Sequence, residues 1–151
     1  MKVTKKGEYA MRALVDLALN YKKGMRQIRD IVREETIPEK FLEQILVILK
    51  NAGIIQSKRG IGGGYLLSRS PDKISLGEVI RVIDGPIGPM SCVDKSGDGG
   101  CPKEVVCGIR SVMVDVNNAM TDILDRVTLA DVCNRSRGMI ERKAQKLMYY
   151  I

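Results

Sequence analysis

Three cysteines, Cys92, Cys101 and Cys107, stand in one segment with the spacing C-x8-C-x5-C. Clustered thiols in a chain read as cytosolic point to a metal or redox site rather than a disulfide framework. A structural zinc site takes four Cys or His ligands in closely spaced pairs. This segment has three thiols at wider gaps, and the chain contains no histidine, so zinc is disfavoured. An iron–sulfur cluster accepts thiolates from irregularly spaced loops. Three such donors would leave one position to an oxygen ligand, which would suit a labile sensor. Unligated, redox-active thiols are the alternative. Cys133 stands apart and reads as a small buried hydrophobe.

Other chemistries are excluded by absence. Without histidine there is no usual general base and no Ser-His or Cys-His pair. No constellation of acid, base and nucleophile is visible, so an enzyme is not expected. With no tryptophan and one phenylalanine, stacking platforms for single-stranded nucleic acid are not expected either.

A second group of residues suits duplex DNA. Lys40, Glu43 and Gln44 recur on the polar side of a helix whose apolar stripe is Phe41, Leu42, Ile45, Ile48 and Leu49. Gln can read adenine, Glu can accept from cytosine, and Lys suits phosphate or guanine. Just downstream, Lys58-Arg59-Gly60-Ile61-Gly62-Gly63-Gly64 separates two short apolar runs, Ile54–Ser57 and Tyr65–Leu67. This reads as a hairpin whose glycines let backbone approach phosphate and whose Arg59 suits a minor groove. No Gly-Lys-Ser/Thr follows, and the third glycine of a dinucleotide fingerprint would fall on Tyr65, so both phosphate-loop readings fail.

The elements that must carry these groups follow from periodicity. Ala10, Leu14, Leu17, Ala18 and Tyr21 place a first helix over about 4–20, and Ile28, Ile31 and Val32 a second around 27–34. Thr36-Ile37-Pro38-Glu39 has the form of a capping box opening the third helix, which stops at Gly53. Ser75-Leu76-Gly77-Glu78 opens a fourth. A long helical pattern from about Glu104 to Val127 carries Ile109, Val112, Met113, Val116, Met120, Ile123, Leu124 and Val127. At about 30 Å it exceeds what so small a domain covers, so pairing with a second subunit is expected. Three helices followed by a basic hairpin is the order of a winged helix-turn-helix. The expected fold is mainly α with a small β-wing and a long dimerisation helix.

Charge divides the 151 residues unevenly. Residues 1–70 hold 14 basic and 7 acidic side chains, residues 71–134 hold 6 and 10, and residues 135–151 hold 5 and 1. A basic N-terminal half fits a polyanion-binding module. The domains are therefore set at 1–84 for DNA binding, 85–107 for the cysteine loop, and 104–133 for the long helix and a short following one. A basic tail over 134–151 is expected to be mobile. The longest apolar run is five residues, Ile45–Leu49, too short to span a bilayer, and a cytoplasmic location is expected.

Lys6-Gly7-Glu8-Tyr9-Ala10, Phe41-Leu42-Glu43-Gln44-Ile45, Arg59-Gly60-x-Gly62-Gly63-Gly64-Tyr65-Leu66-Leu67 and Gly77-Glu78-Val79-Ile80 resemble the IscR-type iron–sulfur regulators. The resemblance runs to about residue 133. It implies a homodimeric transcription factor, a repressor by expectation, that binds palindromic double-stranded operators. It further implies that Lys40, Glu43 and Gln44 enter the major groove, that Arg59 and Gly60 enter the minor groove, with Lys58 a further DNA contact, and that Cys92, Cys101 and Cys107 hold an iron–sulfur cluster, the [2Fe–2S] form favoured over [4Fe–4S]. Two departures stand out. The first cysteine gap is longer than usual for the family, and the histidine that often follows the third cysteine is absent, Gly108, Ile109 and Arg110 following instead. Related sensors use an acidic side chain near the start of helix one of the partner subunit, a position Glu8 occupies; Asp94, Asp98 and Glu104 are the other candidates for fourth ligand. A cluster-free regulator of the same fold, acting through thiols or a partner protein, is the rival reading.

Overall fold

The computed structural model describes residues 2–94 and 101–150. Its order is α1 (Lys5–Leu19), α2 (Ile28–Glu35), α3 (Glu39–Asn51), β1 (Ile55–Lys58), β2 (Gly64–Leu67), α4 (Leu76–Asp84), α5 (Gly108–Arg126) and α6 (Leu129–Met148), with short 3-10 turns at Pro71–Lys73 and Glu104–Val106. The mainly helical winged helix-turn-helix with its long following helix is thus present. β1 and β2 pair antiparallel, with Ile55 opposite Leu67 and Lys58 opposite Gly64.

The core forms where five helices meet the root of the hairpin. Ala10, Ala13, Leu14 and Leu17 of α1 pack with Ile31 of α2, Leu42, Ile45, Leu46 and Leu49 of α3, Ile55, Leu67, Val79 and Leu129. Removing any one large member would cost about 2–5 kcal/mol. The small residues Ala10 and Ala13 let α1 lie close to its neighbours, and Thr4 caps the helix by accepting from the Gly7 amide at 3.1 Å.

Four expectations need correction. The Thr36 capping box does not form: Thr36 closes α2 in the left-handed conformation (φ 51°), and Pro38 stands at the N-cap of α3 without a side-chain bond. The tight turn between the two helices leaves no residue to spare, so the closing of α2 takes Thr36. The buried stripe of α3 is Leu42, Ile45, Leu46 and Leu49; Phe41 is half exposed and lies edge-on to the Tyr9 ring, centroids 6.3 Å apart. The long helix starts at Gly108, because Cys107 is its N-cap. The last helix does not end near residue 133 but continues to Met148, opened by a reciprocal capping box between Thr128 and Asp131.

The starts of α4 and α6 are tied together. The Leu76 amide donates to the Val127 carbonyl and the Leu129 amide to the Ile74 carbonyl, both at 2.9 Å. The C-terminal end of α5 is clamped to α4 by a two-pronged pair, Arg81 to Asp125 at 2.6 and 2.9 Å. Gly77 allows this approach, since a Cβ there would meet the Asp125 carboxylate. The hydrogen bonds from Arg81 hold Asp125 below the usual carboxylate range. No residue of α5 is buried.

Candidate nucleic-acid interface and cysteine site

The first surface is built on α3 and the hairpin. Lys40, Glu43, Gln44, Val47 and Lys50 are all exposed along one side of α3, spaced so that they share a face. Beside them, a recess of about 220 Å³ is lined by Leu46, Val47 and Lys50 of α3 and by Ser57, Lys58, Arg59, Gly64 and Tyr65 of the hairpin. The hairpin tip turns through Gly60 and Gly62 at φ 93° and 72°, values that only glycine adopts at little cost. The Gly63 amide donates to the Gly60 carbonyl at 3.0 Å, and the tip raises Lys58, Arg59 and the fully exposed Ile61 clear of the body.

Four arginines of the body are held in ion pairs. Arg12 is bonded to Glu35, Arg26 to Asp16, Arg69 to Glu78 and Arg81 to Asp125. Among the described residues, Lys40, Glu43, Gln44, Lys50, Lys58 and Arg59 make no side-chain hydrogen bond or ion pair. A face of long polar side chains without internal partners is free to meet phosphate and base edges. All six predicted contact positions, Lys40, Glu43, Gln44, Lys58, Arg59 and Gly60, fall on this one side of α3 and on the adjoining hairpin.

The second site lies at the N-terminal end of α5. Cys92 and Cys107 are partly exposed, Cys101 is exposed, and none of the chain's cysteines is in a disulfide. Two residues, Glu104 and Arg110, bond to all three through side chain or backbone. The Glu104 amide donates to the Cys101 carbonyl at 3.1 Å. The Glu104 carboxylate pairs with Arg110 at 3.1 Å. The Arg110 Nε donates to the Cys92 carbonyl at 3.1 Å, and its backbone amide donates to the Cys107 sulfur at 3.4 Å. Arg110 was not singled out by spacing; only its place three residues after the third cysteine marked it.

Thiolates are the donors an iron–sulfur cluster takes, so the residues fit such a group in kind. Among the described residues, no group of three or more His, Cys, Asp or Glu side chains is gathered closely enough to hold a metal ion, so the arrangement does not converge them. Glu8 sits in the first turn of α1, bonded to Lys5 at 2.8 Å and paired with Arg12 at 3.9 Å. The Lys5 hydrogen bond holds its carboxyl below the usual range. Glu104 is engaged with Arg110, Asp94 lies in the turn after Cys92, and Asp98 lies outside the described residues. Cys133 is buried, as expected, at the start of α6, and burial pushes its thiol up.

Comparison with known proteins finds transcriptional regulators. The family model described as Rrf2, iron-dependent transcriptional regulator, matches residues 3–135. The HTH-type transcriptional regulator CymR of Bacillus subtilis is 30% identical over 151 residues, covering 100% of both chains. The HTH-type transcriptional regulator IscR of an Escherichia coli strain (O1:K1 / APEC) is 35% identical over 134 residues, 89% of this chain and 81% of that one. The solved structure of CymR, described as the global cysteine regulator of B. subtilis, superposes with a TM-score of 0.75 at 31% identity, covering 89% of this chain and 98% of that chain.

Proposed function

The chain belongs to the Rrf2 family of transcriptional regulators, and on that premise we propose that it is a homodimeric, cytoplasmic repressor whose grip on palindromic operators is set at Cys92, Cys101 and Cys107. The observation that carries the DNA half is the unpartnered row Lys40, Glu43 and Gln44 beside the raised Lys58 and Arg59. The α3 side chains read base edges in the major groove and the hairpin tip follows the adjoining minor groove. Dimerisation runs through α5, whose exposed Ile109, Val112, Val116 and Ile123 form a stripe that no described residue covers.

The effector in this reading is an iron–sulfur cluster, the [2Fe–2S] form, held by the three cysteines with Glu8 of the opposing protomer as the oxygen donor. When bound, it supplies an oxidisable and nitric-oxide-sensitive group. Arg110 and Glu104 hold the cysteine backbones at the start of α5, so any change at the sulfurs is felt by that helix. A cluster-free regulator acting through thiols is the second reading. It is favoured by the scattered arrangement of the donors among the described residues and by the likeness to a cysteine regulator.

Anaerobic purification with an absorption spectrum and an iron and sulfide count separates the two. Visible absorption with iron and sulfide bound, lost in the Cys107→Ser variant, supports the cluster. Colourless protein that still changes its DNA affinity on thiol oxidation supports the second reading. A colour unchanged in Glu8→Ala would remove Glu8 from the ligand set.

A further inference from the structure

Asp16 is the one charged residue among the fully buried positions of the described chain, 3% exposed on the core side of α1. Both its oxygens are taken by Arg26, at 2.9 Å each. Arg26 is itself largely enclosed, and its guanidinium reaches Glu34 of α2 at 3.5 Å. The same residue's backbone belongs to the hairpin. Its amide donates to the Tyr65 carbonyl at 2.9 Å, and its carbonyl accepts from the Tyr65 amide at 2.8 Å. This adds a third short extended segment beside β2. Gly64 is required there, at φ 147°, because a Cβ would run into the Arg26 backbone. One residue further on, Gln27 is the N-cap of α2. A single residue therefore ties α1 and α2 through its side chain and the tip end of β2 through its backbone.

We infer that the Asp16–Arg26 pair is a positioning device for the hairpin: it fixes the angle at which Lys58 and Arg59 stand relative to the reading face of α3. Neither residue faces the groove, so both act through the tip. The hairpin has two strands of four residues, and an isolated hairpin of that size is marginal in water. Its orientation must come from what its strands are bonded to, and Arg26 holds the outer edge of β2 at Tyr65, close to the tip. With the carboxylate neutralised, the guanidinium keeps only the exposed Glu34 carboxylate and turns out toward it and water, and the backbone pairing with Tyr65 loosens with it. The tip then samples many angles, and contacts made by Arg59 average away while those made by α3 remain.

This inference rests on the DNA-binding reading, and its test is a double-mutant cycle on the full-length protein. The probe is a duplex enriched by the wild-type protein from a random-sequence pool. Asp16→Asn should weaken binding about tenfold, equivalent to about 1.4 kcal/mol. In an Arg59→Ala background, the same change should cost little more, since the contact it positions is already gone. Hydrogen exchange of the Tyr65 amide should quicken in Asp16→Asn while that of the Leu46 amide in α3 stays slow. Arg26→Lys, which keeps the charge and loses the two-pronged bond, should behave alike and serves if Asp16→Asn does not fold. Equal losses with and without Arg59, or no loss at all, would overturn the inference while leaving DNA binding standing. A wild-type protein that enriches no duplex would overturn both.

Discussion

Glu43 is the most exposed test of the reading face, because a carboxylate beside DNA is repelled by phosphate unless a cytosine amine receives it. Glu43→Ala should therefore relax preference at one base pair, by about 1–3 kcal/mol of discrimination, with little loss of overall affinity. Binding profiles against single-base operator variants measure this, and an unchanged profile would place Glu43 off the groove. Arg110 makes the complementary test at the cysteine site. Its side chain pairs with Glu104 and holds the Cys92 carbonyl. Arg110→Ala should raise the rate at which Cys92 reacts with a thiol reagent, read by mass spectrometry, while Cys107, bonded by the Arg110 backbone amide, changes less and buried Cys133 stays slow. At this scale the sequence was informative about kinds and less so about partners. The cysteines, Lys40, Gln44 and Arg59 declared themselves by type and spacing. Asp16 and Arg26 did not, although an aspartate between Val15 and Leu17 in an apolar stripe was the available signal of a buried pair.

Helix boundaries show why local signals stop short of tertiary ones. Ser75 does accept from the Glu78 amide at 3.1 Å, but the Glu78 carboxylate turns to Arg69 instead of completing its box. Thr36 carries the same motif and closes a helix rather than opening one, because the turn between α2 and α3 decides its backbone. The box at Thr128 and Asp131 forms in full, its hydrogen bonds hold the Asp131 carboxyl below the ordinary range, and it opens a helix far longer than the apolar pattern near it suggested. The clamp between α4 and α5 was invisible in sequence, since Arg81 and Asp125 are 44 residues apart. Its carboxylate is depressed by Arg81, so its contribution is present above the unfolded value near 3.8 and lost as pH falls through the lower folded value. The pair is about two-fifths exposed, which limits it to about 1 kcal/mol or less. Asp125→Asn should lower the melting temperature by a few degrees at neutral pH, roughly 2–4 °C, with the difference from wild type closing in acid; a difference that persists there would assign the effect to packing.

Across the whole molecule, the cysteine site and the reading face occupy different ends of a mechanical path. α5 is docked on α4 at its C-terminal end by Arg81 and Asp125, whereas the cysteines surround its N-terminal end. Nineteen residues at 1.5 Å each separate the two by roughly 28 Å. In the proposed reading, a change at the sulfurs would reach α3 by moving α5 against α4, or by shifting how two copies of α5 lie together. Replacing Val112 and Val116 by Lys should convert a dimer to a monomer in light scattering and weaken operator binding, since each protomer would then hold a half-site alone. Attachment itself is electrostatic, so affinity should fall steeply with salt, and Lys58→Ala should flatten the slope of log affinity against log salt by about 1 per protomer. The basic N-terminal half foretold this surface; the direction of coupling could not be foretold, because it depends on which end of α5 is held.

The decisive measurement is operator affinity by fluorescence anisotropy for anaerobically purified protein, before and after its cysteine site is altered by cluster removal or by thiol oxidation. The account predicts a change of about tenfold or more, abolished in Cys107→Ser. The same affinity in both states, with Cys92, Cys101 and Cys107 demonstrably altered, would contradict it.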